Sequence, residues 1–296
     1  MIEYLATFRF GFYFTFETDR TTNPYGSRDL AQALAAMNNP FHRLVHEELF
    51  RSMVVNQSAG ENESDRLDRW NRAWAHNLQI AHRLLYALVL SRLLIFEKFL
   101  SIANRTGFGT TKDIYRAWCL LQLVPHLSGK RDIFSQVFRR VSILSNDSAA
   151  EECTAILERI RDNYGIEDLA VAVDEAQAGT ALYETSFGPY YHKADPNAFA
   201  ANTRPVLKPV IEILQSAIDP AKIIVSGTKI SRDTILEALV STSAKPPREF
   251  PEPVPLGDMF GDDKLKAFVD HFLSEGFWTR LNVRTRHEVA FWFPGR

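Results

Sequence analysis

Cysteine is scarce in this sequence, because Cys119 and Cys153 are the only two among 296 residues. Two cysteines are too few for a disulfide framework, and they lack the close spacing that a zinc site needs. We therefore predict that both are reduced and structural. His42 and His46 are spaced like metal ligands on a helix, but the order is not His-Glu-x-x-His, and an amphipathic helix explains them better.

Long apolar runs are also missing. The most apolar stretch, 84–96, is interrupted by Ser91 and Arg92 and is shorter than the roughly 20 residues that a membrane-spanning helix needs. The first residues show no basic stretch leading into an apolar core, which is the pattern of a secretory signal. We therefore expect an intracellular protein, cytoplasmic or nuclear, with no membrane partner.

Neither sign of charge is in excess. The formal net charge is -2 at pH 7, with 24% charged and 46% hydrophobic residues, which is typical of soluble domains. Such a chain has no basic field that would attract nucleic acid, so no nucleic-acid partner is predicted. Its length is sufficient to bury a stable core without disulfides or metals.

A phosphate-binding loop is absent from the sequence. No segment matches Gly-x-x-x-x-Gly-Lys-Ser/Thr, in which backbone amides cradle phosphates and the lysine neutralises them. Ser128-Gly129-Lys130 is followed by Arg131, and Gly109-Thr110-Thr111-Lys112 has the order wrong, so both are interpreted as loops. A Gly-x-Ser-x-Gly elbow is missing too, which ranks a nucleotide-independent hydrolase last.

The first half of the chain contains one strand pattern followed by helix patterns. Phe recurs at every second position over 8–16, which is the period of a β-strand. Ser27 and Ser64 are predicted to cap the first two helices. The predicted helices cover about 28–37, 65–104, 112–127 and 131–144. Together they form an all-helical insert of about 28–145.

The second half alternates between helix and strand. Its predicted elements are a helix at 148–164, a strand at 169–173, a helix at 205–218, a strand at 222–225 and tail helices at about 262–274 and 284–293. Both strands are apolar on both faces, as in a parallel sheet that helices cover. The pattern therefore predicts an α/β part over about 148–296, built on a strand–helix–strand unit.

Polar residues stand directly after both apolar strands. Asp174 and Glu175 follow the first strand, and Ser226-Gly227-Thr228 follows the second. Open α/β sheets bind ligands at the carboxyl ends of their strands. A carboxylate there can hold the Mg2+ of a nucleotide, its neighbour can activate water, and a hydroxyl can contact phosphate. The residues leave alternatives open: the acids could cap the following helix or simply meet solvent, and Gly227 could form an ordinary turn.

These segments resemble a known class of ATPases. Residues 169–177 followed by 223–228 look like the Walker B and sensor-1 strands of AAA+/STAND-like P-loop ATPases. More narrowly, five short segments are similar to the NTPase module of fungal Crinkler-like families: Gly11-Phe12-Tyr13-Phe14-Thr15, Gly26-Ser27-Arg28-Asp29-Leu30, the acidic pair Asp174-Glu175, Val225-Ser226-Gly227-Thr228 and Pro294-Gly295-Arg296. The resemblance implies an α/β fold with a P-loop NTPase-like parallel sheet and a large helical insert, as one domain over 1–296.

The resemblance also implies a role for each site residue. Asp174 is the Mg2+-side carboxylate, Glu175 is the base that activates water, and Ser226 or Thr228 takes the sensor position. Arg296 matches the arginine of a Gly-Arg motif that senses or stabilises nucleotide. ATP and Mg2+ are the cofactors that these roles imply.

One departure from the family pattern concerns the Walker A strand, loop and helix. In that family they precede the Gly-Phe-Tyr-Phe-Thr strand, but only seven residues stand before Phe8 here. We therefore expect a fold that is incomplete at the N-terminus, truncated or degenerate, with impaired or absent ATP hydrolysis. Because the Walker A strand normally covers its neighbours, we also expect 169–173 or 223–225 to expose an edge or to pair abnormally.

The rival hypothesis is a non-catalytic intracellular scaffold. In this interpretation the helical region over 28–144 binds another protein, and the α/β half only supports it. Arg280, Arg284 and Arg286 form a small basic cluster that is either a phosphate contact or a solvated helix face.

Overall fold

The computed structural model describes residues 5–6, 9–17, 26–39, 44–45, 63–125, 131–188 and 204–227. All of them belong to the unit Met1–Pro246. The strands are β1 (Gly11–Thr15), β2 (Leu169–Asp174) and β3 (Ala221–Val225). The helices are α1 (Asp29–Met37), α2 (Glu63–Thr106), α3 (Thr111–Leu123), α4 (Ile133–Val141), α5 (Asn146–Tyr164), α6 (Ala176–Ala181) and α7 (Leu207–Ala217). The tail helices predicted at 262–274 and 284–293 lie outside these residues, and the single domain over 1–296 stays a prediction.

The strands form a parallel sheet in the order β1-β2-β3. Phe12 is paired with Val171 across the first interface, and Val173 is paired with Val225 across the second. Helices α1 to α5 connect β1 to β2, while α6 and α7 connect β2 to β3, because parallel neighbours need a long crossover. The α/β class and the strand–helix–strand unit are therefore confirmed, in a chain whose described part is mostly helical.

The two strands that were expected to expose an edge, β2 and β3, differ in their number of neighbouring strands and in burial. β2 is the central strand and is paired on both sides, so the expectation of an exposed edge there is wrong. β3 has one neighbour among the described strands and is only partly buried, whereas β2 is buried up to Val173.

The alternation of β1 divides its side chains between two cores. Phe12 and Phe14 face the large cluster that the helices build, while Tyr13 lies on the other face with Ala170 and Ala172. The ring of Phe12 packs edge-on against Trp118 of α3, with 6.0 Å between the ring centroids. Burying one such ring contributes about 1.5–3 kcal/mol, so the aromatic strand anchors the sheet on the helices.

Helix α2 is the central helix of the described fold. It packs against α1, α4, α5 and α7. Trp74, Ala81, Leu85 and Leu88 are buried at helical spacing along it, as the sequence predicted. No helix in the described part of the chain combines the length and the apolarity that a membrane crossing requires.

The helix ends correct two sequence predictions. Arg28, not Ser27, is the N-cap residue of α1, although Ser27 Oγ accepts a hydrogen bond from Asp29 N–H at 3.1 Å. Ser64 lies inside α2, which begins at Glu63. A serine marks a helix start only where its own backbone leaves the helix, and flanking residues with good helix propensity can move that point.

Both cysteines are reduced and buried, as predicted. Burial raises the pKa of Cys119 to about 11 and the pKa of Cys153 to about 12. Both thiols therefore stay protonated and serve as small core side chains.

A glutamine closes the outer edge of β1. The Oε1 atom of Gln122 accepts a hydrogen bond from Tyr13 N–H at 2.9 Å, and its Nε2 atom donates to the Gly11 carbonyl at 3.0 Å. Trp118 Nε1 donates to the same carbonyl at 2.7 Å. The side-chain amide of Gln122 thus bonds the strand as a further strand would, and buried backbone groups keep their partners.

A buried ion pair holds this glutamine in place. Arg92 of α2 donates from Nε and Nη2 to the carboxylate of Asp29 at 2.5 and 2.8 Å, with side-chain exposures of 1% and 0%. Its Nη1 atom donates to Gln122 Oε1 at 3.2 Å. The guanidinium also lies 4.1 Å from the ring centroid of Phe134 and 4.9 Å from that of Phe14. One arginine therefore connects α1, α2, α3, α4 and β1.

Asp132 joins α4 to the segment before α1. Its carboxylate caps α4 by accepting from Phe134 N–H and Ser135 N–H, and it also accepts from Ser27 Oγ and Arg28 N–H. Burial favours the protonated acid, but the hydrogen bonds from Arg28, Ser135 and Ser27 outweigh it, so the pKa of Asp132 lies below its ordinary value of 3.8.

Removing one partner of the buried ion pair should destabilise the protein strongly. Arg92→Met leaves the carboxylate of Asp29 buried without a counter-charge, so we expect the free energy of unfolding in urea to fall by about 3–5 kcal/mol. The double variant Asp29→Leu/Arg92→Met should recover part of that loss. The control Arg159→Met breaks an exposed pair with Glu97 and should cost less than about 1 kcal/mol. Equal losses for Arg92→Met and Arg159→Met would contradict this account.

Asp132 should make the free energy of unfolding depend on pH in the acid range. A carboxylate whose pKa is lowered by folding stabilises the fold above its unfolded value of 3.8, and this contribution is lost as the pH falls through the lower folded pKa. Asp132→Asn should therefore be less stable than wild type at pH 7 and should lose less stability between pH 4 and acid. Urea unfolding at a series of pH values measures both slopes. Parallel slopes would show that Asp132 makes no such contribution.

Candidate functional site

The carboxyl ends of β2 and β3 meet at Asp174 and Ser226. Ser226 Oγ donates to Asp174 Oδ1 at 2.5 Å. The backbone holds the two ends together, since Ser226 N–H donates to the Val173 carbonyl at 2.8 Å and Ala176 N–H donates to the Ser226 carbonyl at 2.9 Å. Two of the residues predicted from the sequence are therefore in direct contact.

Tyr13 of β1 is a further site residue, which the sequence patterns did not single out. Its hydroxyl donates to Asp174 Oδ2 at 2.7 Å. Tyr13 and Thr15 share one face of β1, and the register that pairs Thr15 with Asp174 brings the tyrosine beside that carboxylate. Tyr13 occupies one of the positions between the alternating Phe residues, where it is the only large aromatic side chain, but this signal gains meaning only once the strand pairing is known.

The phenol of Tyr13 is a permanent proton donor at neutral pH. Burial raises the pKa of Tyr13 most, and the negative charge of Asp174 with the hydrogen bond to it raises it further, well above its ordinary value. The hydroxyl therefore keeps its proton and directs it at Asp174.

The hydrogen bonds of Asp174 leave room on one oxygen. Oδ1 accepts from Ser226 Oγ and from Glu175 N–H at 3.0 Å, whereas Oδ2 accepts only from Tyr13 in the described part of the chain. A carboxylate offers about four lone-pair sites, two on each oxygen. Oδ2 thus retains one acceptor site for a cation or for a water molecule bound to a cation.

The oxygen donors at this strand end fit a hard cation such as Mg2+. Carboxylate and hydroxyl oxygens are the ligands that Mg2+ prefers, and Mg2+ usually keeps several waters and phosphate oxygens. No group of three or more His, Cys, Asp and Glu side chains is arranged to hold a metal among the residues that the structure covers. A Mg2+ ion here would therefore take most of its ligands from water and from a bound phosphate.

Glu175 occupies a strained position directly after β2. Its backbone has φ 53° and ψ 38°, the left-handed region that residues other than glycine seldom adopt. It is the N-cap residue of α6, a helix that the sequence patterns did not predict, and its side chain makes no capping hydrogen bond. Instead its Oε2 atom accepts from Gln177 Nε2. The capping alternative therefore does not account for Glu175, whose left-handed turn directs the chain from the sheet into α6.

Gly227 allows the end of β3 to approach α6 closely. A Cβ atom at Gly227 would overlap the side chain of Gln177 and would lie 3.2 Å from Ala176 N. A larger residue would require the side chain of Gln177 to move and the start of α6 to shift by a few tenths of an ångström. The interpretation of Gly227 as a turn residue and a site at Ser226 are thus compatible.

Several predicted residues lie beyond the part of the chain that the structure covers. They are Thr228, Arg296, the pair His42 and His46, and the cluster Arg280, Arg284 and Arg286. Their roles stay predictions. The contacts of Asp174, Glu175 and Ser226 above are the part of the predicted site that can be described.

Comparisons with protein-family models, with curated proteins and with solved structures give no match to this chain. The functional argument consequently depends on the residues, on their geometry and on the resemblance of the short segments described above.

Substitutions at Glu175 should separate backbone strain from side-chain chemistry. Glycine adopts the left-handed region freely, whereas valine is disfavoured there, and such strain costs about 1–3 kcal/mol. We expect Glu175→Gly to unfold with a free energy close to that of wild type, and Glu175→Val to fall below Glu175→Gly by about 1–3 kcal/mol. Both variants lose the same carboxylate, so each is the control for the other in urea unfolding. Equal stability of the two would rule out the left-handed backbone.

Proposed function

We propose that this chain is a P-loop NTPase-like protein which binds a nucleotide with Mg2+ at the carboxyl end of β2 and which, as this chain alone, hydrolyses ATP weakly or not at all. The observation that carries the proposal is the carboxylate of Asp174. It stands at the end of the central parallel strand and accepts hydrogen bonds from the hydroxyl of Tyr13 in β1 and from that of Ser226 directly after β3. Ligands of open α/β sheets bind at such strand ends.

The resemblance to AAA+/STAND-like ATPases supports this proposal. The Walker-B-like strand is β2 and the sensor-like strand is β3, and these two are parallel neighbours with the described helices α6 and α7 between them in the chain. Parallel pairing brings their carboxyl ends to the same edge, where Asp174 and Ser226 meet. The Crinkler-like segment around Tyr13 forms β1, which pairs with β2 on the side opposite to β3.

Each residue at the carboxyl end of β2 and β3 would have a separate role. Asp174 would hold Mg2+ through the open site on Oδ2, directly or through water. Glu175 would accept the proton of an attacking water, and its carboxylate is held by the hydrogen bond from Gln177 Nε2. Ser226 keeps Asp174 Oδ1 occupied and takes the sensor position. Bound Mg2+ would supply positive charge that neutralises part of the phosphate charge.

The absence of the phosphate-binding sequence sets the level of activity that we propose. Without Gly-x-x-x-x-Gly-Lys-Ser/Thr, no lysine of that motif neutralises the phosphates and no backbone loop of that kind orients them. Positioning and charge stabilisation account for most of the catalysis of phosphoryl transfer. Binding should therefore survive better than hydrolysis.

A protein-binding scaffold is the second candidate function. Apolar side chains are exposed on the helical region, with Ile143 84% and Leu120 50% exposed. Such residues are common at binding surfaces, but single exposed apolar residues are also normal. In this candidate the α/β part supports the helices, and substitution of Asp174 has no effect on partner binding.

Calorimetric titration of the purified full chain with ATP and MgCl2 tests the proposed nucleotide site. We expect saturable binding, which Asp174→Asn weakens at least about tenfold, equivalent to roughly 1.4 kcal/mol. Glu175→Gln should bind as wild type does and should lose any phosphate release that wild type shows. Asp168→Asn is the matched control, because Asp168 stands at the amino end of β2 in an exposed pair with Arg9.

The titration also separates the two candidate functions. Thermal melts and circular dichroism confirm that each variant is folded. A folded wild type without saturable ATP binding would refute the nucleotide site and favour the scaffold. The same conclusion would follow if Asp174→Asn and Asp168→Asn bound ATP equally well.

A further inference from the structure

Tyr13 is held from two directions, which fixes its hydroxyl relative to the sheet. Its backbone N–H bonds Gln122 Oε1, which also accepts from the buried Arg92. Its ring lies beside Gly26, where a Cβ atom would approach Tyr13 Cε1 to 3.3 Å. Gly26 has φ 91° and its N–H donates to the Leu123 carbonyl at 2.7 Å, so this turn is itself tied to α3. The tyrosine therefore has little freedom to move away from Asp174.

Two hydroxyls approach the carboxylate of Asp174 from opposite sides. Tyr13 comes from β1 and bonds Oδ2, while Ser226 follows β3 and bonds Oδ1. A carboxylate on a flexible side chain rotates unless both oxygens have partners, and ligands of metals are commonly oriented by such outer partners. These two bonds fix the carboxylate plane and determine which lone pair stays open.

We propose that Tyr13 is a positioning residue for Asp174: with Ser226 it clamps the carboxylate so that the open lone pair of Oδ2 faces the divalent cation of a bound nucleotide. This inference rests on the proposed function, since it concerns the same site. It adds a residue that neither the strand-end pattern nor the family resemblance assigned. It also makes the helical region part of the site, because Gln122 and Arg92 determine where Tyr13 lies.

The clamp has a consequence that a purely structural tyrosine would not have. Loss of the hydroxyl should weaken nucleotide binding only when a divalent cation is present and only when Asp174 carries its carboxylate. A tyrosine that merely fills space should affect binding equally with and without the cation. The dependence on the cation is therefore the decisive measurement.

The test measures binding of ATP with MnCl2, and of ATP with EDTA, to the full chain. We expect Tyr13→Phe to weaken ATP binding about tenfold with Mn2+, as removal of an outer-shell partner commonly does, and to leave binding in EDTA unchanged. In an Asp174→Asn background the further change Tyr13→Phe should alter the Mn2+ measurement less than about twofold, because the clamped carboxylate is gone. The matched control is Tyr183→Phe, which removes the hydroxyl of a half-buried tyrosine that donates to the Leu34 carbonyl.

Each outcome decides one question. If Asp174→Asn weakens binding but Tyr13→Phe binds like wild type, the positioning role is refuted and the proposed nucleotide site stands. If Tyr13→Phe weakens binding equally in EDTA, its effect is general packing and the inference is again refuted. If wild type binds no ATP under either condition, both the inference and the proposed function are refuted.

A second variant covers the case in which Tyr13→Phe does not fold. Ser226→Ala removes the other hydroxyl of the clamp at the end of the partly buried β3. It should weaken binding with Mn2+ in the same direction and should leave binding in EDTA unchanged. Binding with Mn2+ at wild-type strength would refute the clamp.

Discussion

The interaction on which the rest of the structure depends is the buried pair between Arg92 and Asp29. Taking two charges out of water is costly, and the cost is offset only if geometry is good and the remaining donors have partners. Here the guanidinium meets the carboxylate twice, bonds Gln122 with a third nitrogen and packs against two aromatic rings. Each of these contacts comes from a different part of the chain, so the arginine specifies how the helices assemble.

The position of the sheet depends on how the helices pack around Arg92. Gln122 can satisfy the edge of β1 only while Arg92 orients its amide, and β1 can present Tyr13 to Asp174 only while its edge is held. The aromatic face of β1 then adds apolar burial against α2 and α3. A chain of contacts therefore runs from the buried pair of Arg92 and Asp29 among the helices to Asp174 at the end of β2. The helices and β2 belong to the helical and the α/β regions of the sequence.

The sequence was sufficient for the elements whose signals are periodic. The alternating Phe residues, the apolar stripe of α2 and the two apolar strands all gave correct element types, and parallel strands necessarily bring Asp174 and Ser226 to one edge. It was insufficient for Tyr13 and Gln122, because their roles depend on register and on helix placement, which no local pattern encodes. The sequence patterns did not predict the short helix α6. Its N-cap residue, Glu175, has a left-handed backbone, and residues other than glycine seldom adopt that conformation. The helix starts predicted from Ser27 and Ser64 were wrong in opposite directions, because the first helix begins one residue later, at Asp29, and the second already includes Ser64.

The glutamine at the border of β1 also makes the sheet asymmetric. With Gln122 and Trp118 bonded to Tyr13 N–H and to the Gly11 carbonyl, the β1 border offers no hydrogen-bonding template at these positions. Among the described strands β3 forms the other border of the sheet, so a further strand would pair with β3. Any added strand, whether from this chain or from another, would lie next to Ser226 and so beside the carboxylate of Asp174. The border of the described sheet to which a strand could be added is therefore the border nearest to the candidate site.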